Sequence, residues 1–266
     1  MVSQIPGPLE LDPALWKKDP VLKAIFLEVD EFTHWLGRCR SLQNALAGSD
    51  SDELFGLLIA DHKEKTFFGS EMDGEIVRRD VQKQAVYFEN PRILVPAPDL
   101  DIARKQLQHR ILVMLFTREL KEIADLNALK EELEKQQDHL ELTLWVHDKP
   151  ESGNTTPADA GKTHEAEGVL KDIDREIEKI GKDLNTPESH LTHVTQALMS
   201  LGRHLQIKRF NLRLNSLGVK VKASSREPFS EITLAECTFT GSTKRAAIWA
   251  RYKRSLMKES PWPRTI

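Results

Sequence analysis

The chain is short of most features that make a protein legible from its sequence. Only two cysteines, Cys39 and Cys237, occur in 266 residues. Two distant cysteines build neither a disulfide framework nor a metal knuckle, and their scarcity fits a reducing compartment. The longest apolar runs are Leu54 to Ala60, broken by Gly56, and Ile111 to Phe116. Both fall far below the ~18 residues that cross a bilayer. The opening Met1-Val2-Ser3-Gln4-Ile5-Pro6-Gly7-Pro8 lacks the basic and apolar stretches of a secretory leader, so a cytoplasmic chain is expected. No Gly-x-Gly pair, Gly-x-Ser-x-Gly elbow or His-Glu-x-x-His occurs. The dinucleotide fingerprint, the serine-hydrolase nucleophile and the zinc-protease helix are thereby excluded.

What is present is charge and helical periodicity. Charged residues make up 30% and hydrophobic residues 39%, too apolar for a disordered chain and polar enough for long exposed helices. The net charge of −3 is unevenly spread. From Leu201 to Ile266 there are 14 Lys and Arg against 4 Asp and Glu, and before that 24 against 37. A basic end of this kind meets a polyanion, or docks on acidic surface of a partner or of its own chain.

The expected fold is mainly α with a small β element. Asp19-Pro20 reads as an N-cap followed by proline in the first turn, opening a helix to about Ala47. Residues 53–98 mix a short apolar run with Val77, Val81, Val86, Tyr87 and Phe88, which suit extended segments. Asp99 or Asp101 caps a helix to about His147, roughly 70 Å long at 1.5 Å per residue. Residues 148–163 read as a polar loop. A second helical arm follows to Leu217-Gly218, carried by Val169, Ile173, Ile177, Ile180 and Leu184, then by Leu191, Val194, Leu198, Leu201 and Leu205. The last segment alternates and reads as a β-hairpin with a turn at 240–243. Three regions result: an acidic 1–98, a long antiparallel coiled-coil-like helical hairpin at 99–217 with its tip at 148–163, and a basic hairpin and tail at 218–266.

Each chemical candidate has a plainer reading beside it. Gly161-Lys162-Thr163 resembles the end of a phosphate loop, but Thr156 stands where glycine is required and no buried strand precedes it. His190 and His193, with Glu188 and His204, put at most two imidazoles on one helix face, too few for a zinc site. His34 with Cys39, or Asp61 with His62, lacks a visible third orienting group. The carboxylates Asp50, Asp52, Glu53, Glu71, Asp73 and Glu75 miss the spacing of a calcium loop. The most specific feature is the basic end: Lys208, Arg209, Arg213, Lys244, Arg245, Arg251, Lys253 and Arg254, with Trp249 and Tyr252 among them. Cations neutralise phosphates and aromatic rings stack on unpaired bases. The same residues also serve as dipole partners, sheet-edge charges and core.

The function expected from these features is that of a non-enzymatic interaction protein, an adaptor or complex subunit. The long helices would bind a protein partner or a second copy, with Leu112, Phe116 and Leu120 as apolar positions left over. No cofactor or metal is implied. A nucleic-acid-binding protein using residues 203–254 is the second expectation. An enzyme with its site hidden in 53–98 is the third.

Overall fold

The computed structural model describes residues 2–73, 76–147, 157–184, 191–192, 195, 198–199, 205–222, 225, 227–239 and 244–258. Its contacts divide the chain into two compact units, residues 1–110 with 202–266, and residues 111–201.

The first unit is built on a curled antiparallel sheet, a half-barrel, and this overturns the mainly-α expectation. Its strands are β1 (Leu9–Glu10), β2 (Glu53–Asp73), β3 (Ile76–Ala97), β4 (Leu205–Leu214), β5 (Ser230–Phe239) and β6 (Arg245–Lys253). The order is β3-β2-β6-β5-β4, with β1 parallel to β6 at Leu9 and Ala250. A short segment then links the two edges. Lys220 N–H donates to the Gln84 carbonyl of β3 at 2.8 Å, and Val221 N–H donates to the Arg213 carbonyl of β4 at 2.8 Å. Such closure hides strand edges that would otherwise invite aggregation.

Residues 53–98 are therefore a hairpin of two long strands. Periodicity hid them because both faces of β2 are buried in its first half. Leu54, Leu58 and Ala60 point to one core, while Leu57 and Ile59 are buried on the opposite face. A strand buried on both sides shows a continuous apolar run with no alternation. β3 adds three register shifts against β2, between Phe55 and Leu57, Ile59 and Asp61, and Gly69 and Glu71. In each shift β3 carries a residue at positive φ: Val95 (47°), Asn90 (53°) and Asp80 (59°). Asn and Asp tolerate this region, whereas a β-branched valine there is strained. Each bulge bends the strand and re-aims its side chains. Gly56 lies against the Val95 bulge, where a Cβ would sit 2.7 Å from Ile93 Cγ2.

The expected helix over 20–47 is three helices: α1 (Pro20–Ile25), α2 (Val29–Arg38) and α3 (Arg40–Ala47). Asp19 caps α1 as expected, its carboxylate accepting from Val21 N at 2.8 Å and Leu22 N at 3.1 Å. The chain turns extended at Phe26 and Glu28. That break lets Phe26 pack on Phe32 and Trp35, with ring centroids 4.7 and 5.0 Å apart. Phe26, Phe32, Leu22, Leu36, Leu42 and Leu46 join β2, β3, β5 and β6 residues in the main core.

The second helical arm also ends differently. Leu205 to Leu214 is strand β4, not helix. Leu205 and Ile207 are buried in its first half, Leu212 and Leu214 in its second, so the covered face changes along the strand. That change mimics helical spacing. Leu217-Gly218, read as a helix stop, is a turn in which Gly218 has φ 73° and its N–H donates to the Asn215 carbonyl at 3.0 Å.

The long helix is present. It is α4 (Leu100–His147), with Asp99 accepting from Asp101 N at 2.7 Å and Ile102 N at 3.2 Å. α5 runs Pro157–Leu184, so residues 157–163, expected in a loop, are helical. Within the second unit Ile123 and Leu133 of α4 and Ile173 and Ile180 of α5 form a small core flanked by Leu126, Leu140 and Ile177. Gln137 also donates to the Asp174 carboxylate at 2.9 Å. This pair of helices is one part of an α+β chain, not its architecture. α6 (Ser255–Lys258) follows β6. The turn expected at 240–243 lies outside the described residues.

Candidate interaction surface

The expectation of nucleic-acid binding rests on the basic strands. Most of their cations are held by carboxylates of the same chain. Arg251 meets Glu10 and, at 3.6 Å, Glu53, and Lys253 meets Glu10 at 3.0 Å. Those two donors, Lys253 first, hold the Glu10 carboxyl below its ordinary range. Arg245 lies 3.4 Å from Asp61, Lys244 3.4 Å from Glu236, and Arg213 3.8 Å from Glu231. Arg213 also stacks over Phe229 at 5.2 Å. Arg254 donates to the Leu46 and Ser51 carbonyls at 3.0 Å each and to the Ser49 carbonyl. It therefore fastens the segment between α3 and β2. Trp249 is fully buried opposite Leu57, so its ring has no open face for a base. Lys208 and Arg209 remain exposed on β4.

This pairing follows from sheet register. Strands bring Arg245 opposite Asp61 and Arg251 opposite Phe55, next to Glu53. Much of the charge asymmetry of the sequence is thus neutralised inside the fold, by acidic residues about 180 to 240 positions upstream and by β5. Exposed pairs of this kind contribute only ~0–1 kcal/mol each. Their larger effect is to occupy the cations.

The other candidates separate cleanly. Asp61 and His62 are neighbours on a strand, so their side chains point to opposite faces. Asp61 accepts from Asn90 at 2.9 Å, and that bond, with Arg245 adding, holds its carboxyl below the ordinary range despite partial burial. Cys39 Sγ lies 3.3 Å from Ser41 Oγ. Burial pushes the Cys237 thiol up to about 11, with Glu236 adding to the rise, so it stays protonated and poorly nucleophilic at neutral pH. Gly161-Lys162-Thr163 falls within α5, which leaves no strand-to-loop cradle there for phosphates. Glu53 is engaged by Arg251, while Glu71 and Asp73 lie on β2. His190, His193, His204, Glu188 and Glu75 lie outside the described residues. Among the described residues no group of three or more His, Cys, Asp or Glu could hold a metal ion. Among them also, no helix is long and apolar enough to cross a membrane.

Among the described residues, two larger apolar surfaces stand out. On α4, Leu112, Val113, Met114 and Leu120 are exposed, Leu120 by 62%, while Leu115 between them is buried. Phe116 is half-buried. Apolar residues on several faces of one helical stretch cannot all be covered by one neighbour. Leu129 and Leu142 continue the exposed series. In the first unit an open groove of about 1600 Å³ lies among α1, β3 and the β4–β5 connection, lined by Trp16, Ile25, Leu27, Tyr87, Leu217 and Phe229 among others. No local pattern signals this groove, because its walls come from segments up to about 200 residues apart. No family model, no curated protein and no solved structure matches this chain.

Proposed function

We propose that this chain is a non-enzymatic interaction protein, an adaptor or complex subunit of the cytoplasm. The observation that carries the reading is the exposed apolar stretch Leu112, Val113, Met114 and Leu120 on α4. Large aliphatic side chains left in water on one helix gain about 25 cal/mol per Å² when a partner covers them. Two free cysteines fit the reducing interior of a cell.

The test is capture of partners by the full-length protein from its native lysate, with and without nuclease, beside the variant Leu112→Glu/Leu120→Glu. Both positions are away from the core of Ile123, Leu133, Ile173 and Ile180, so the variant keeps its helicity by circular dichroism. Protein partners that survive nuclease and are lost with the variant support the reading. Equal capture by both proteins, or a lone monomer with nothing bound, overturns it.

A second reading, a polyanion surface on β4, is favoured by Lys208 and Arg209, which are exposed and make no ion pair among the described residues. It predicts nucleic-acid affinity that falls steeply with salt and is lost in Lys208→Glu/Arg209→Glu. Binding that ignores salt, or none, removes it.

A further inference from the structure

His62 is the one buried polar or charged side chain among the described residues. It sits where β2 parts from β6. Asp61 makes the last β2–β6 pair, opposite Arg245, and His62 N–H donates to the Lys244 carbonyl at 3.0 Å. Beyond it β2 pairs with β3 alone, through Gly69–Val81 and on to Asp73–Ile76. A two-stranded ribbon is marginal without support at its base. The imidazole lies between the rings of Phe88 and Phe210, at 5.6 and 5.4 Å and nearly parallel to both. It thus joins β2, β3 and β4.

The charges around it come from four places. Nε2 faces Glu64 of β2 at 3.4 Å, and Nδ1 faces Glu236 of β5 at 3.5 Å. Both carboxylates are already engaged from outside. Lys220, on the segment that links β3 to β4, holds Glu64 at 2.8 Å. Lys244, just before β6, holds Glu236 at 3.4 Å. With a neutral imidazole the cluster balances. A proton adds a positive charge at a side chain that is almost fully buried, and Glu64 and Glu236, each already shared with a lysine, offset that desolvation only in part.

We propose that His62 is a proton-operated hinge at the base of the β2–β3 ribbon, closed when neutral and loosened when protonated, which weakens the ribbon's attachment to residues 218–221 at the seam. Burial is the largest influence on this imidazole and lowers its affinity for a proton from the ordinary 6.5, against the pull of Glu64 and Glu236. A histidine whose folded value is depressed favours the fold above its unfolded value. That contribution is lost as pH falls through 6.5 toward the folded value.

The experiment is amide hydrogen exchange on the full chain at about pH 7.5 and 5.5, corrected for intrinsic exchange, in a range where histidine titrates. The reporters are Val86, Lys220 and Val221, whose bonds close the seam. Wild type should lose protection there several-fold on acidification, and His62→Phe, whose ring fits between Phe88 and Phe210, should not. No loss in wild type, or an equal loss in His62→Phe, overturns the proposal. Should that variant fail to fold, His62→Gln provides the comparison. Proton NMR of the wild-type imidazole is an independent readout: a midpoint below 6.5 supports the hinge, and one at or above it overturns it.

Discussion

The sheet unit and the helical unit of this chain treat their apolar residues in opposite ways. In the first, both faces of β2 are covered, and Trp249, Phe26 and Phe32 are at or near zero exposure. In the second, among the described residues, the cluster that α4 and α5 share holds four buried side chains, Ile123, Leu133, Ile173 and Ile180, each still touched by some solvent. Leu120 and Leu142 stay largely exposed. A sheet gathers neighbours from six strands and buries each residue among many. Two paired helices share one narrow stripe, and whatever lies off the stripe remains for something else. Burial of this depth makes the sheet unit the expected stable part, while α4 leaves apolar residues exposed along much of its length.

Three substitutions break or sharpen this contrast. The largest effect is expected at Trp249→Ala, which empties a fully buried ring site beside Leu57. It should cost about 3–5 kcal/mol in denaturant unfolding followed by circular dichroism, with the whole first unit lost together. A loss below about 1 kcal/mol would mean that the sheet is not the stable part. Next is Ile173→Ala in α5, expected to cost about 2–3 kcal/mol. Its signature is local: amide exchange should quicken in α5 and leave β2, β5 and β6 unchanged. Quickening across the sheet would show that the units unfold as one. The smallest effect has the opposite sign. Val95→Asn at the β3 bulge relieves a valine held at positive φ and should add about 1 kcal/mol. Loss of stability there would mean that the Val95 side chain supports packing beyond its backbone strain.

The pairing of charges bears on the same contrast. Arg251, Lys253, Arg245 and Lys244 looked free in the sequence because their partners Glu10, Glu53, Asp61 and Glu236 are distant along the chain or on another strand. Lys208 and Arg209 lie opposite Glu236 and Ala235 on the sheet, yet Glu236 already serves Lys244 and faces His62. Among the described residues, Lys208 and Arg209 are thus the members of the predicted basic surface whose side chains are exposed and held by no carboxylate or carbonyl of the chain. His62 and Asp61 were visible as residues, but their meaning depended on a strand: adjacent in sequence, they face different surroundings.

The sequence by itself determined what depends on near neighbours. Asp19-Pro20 and the pair Asp99 or Asp101 announced the starts of α1 and α4, because a cap needs only a side-chain oxygen and amides two or three residues on; the structure uses Asp99. The length of α4 followed from its propensity and its lack of breakers. Tertiary structure decided the rest. Whether Leu54 to Ala60 became a strand depended on β6, nearly 200 residues away, and on α1 to α3 covering one face. Whether Leu205 to Leu214 became strand or helix depended on β5 and on which face each half of it buried. Strand pairing is a contact between distant segments, and no local pattern records it when both faces are covered.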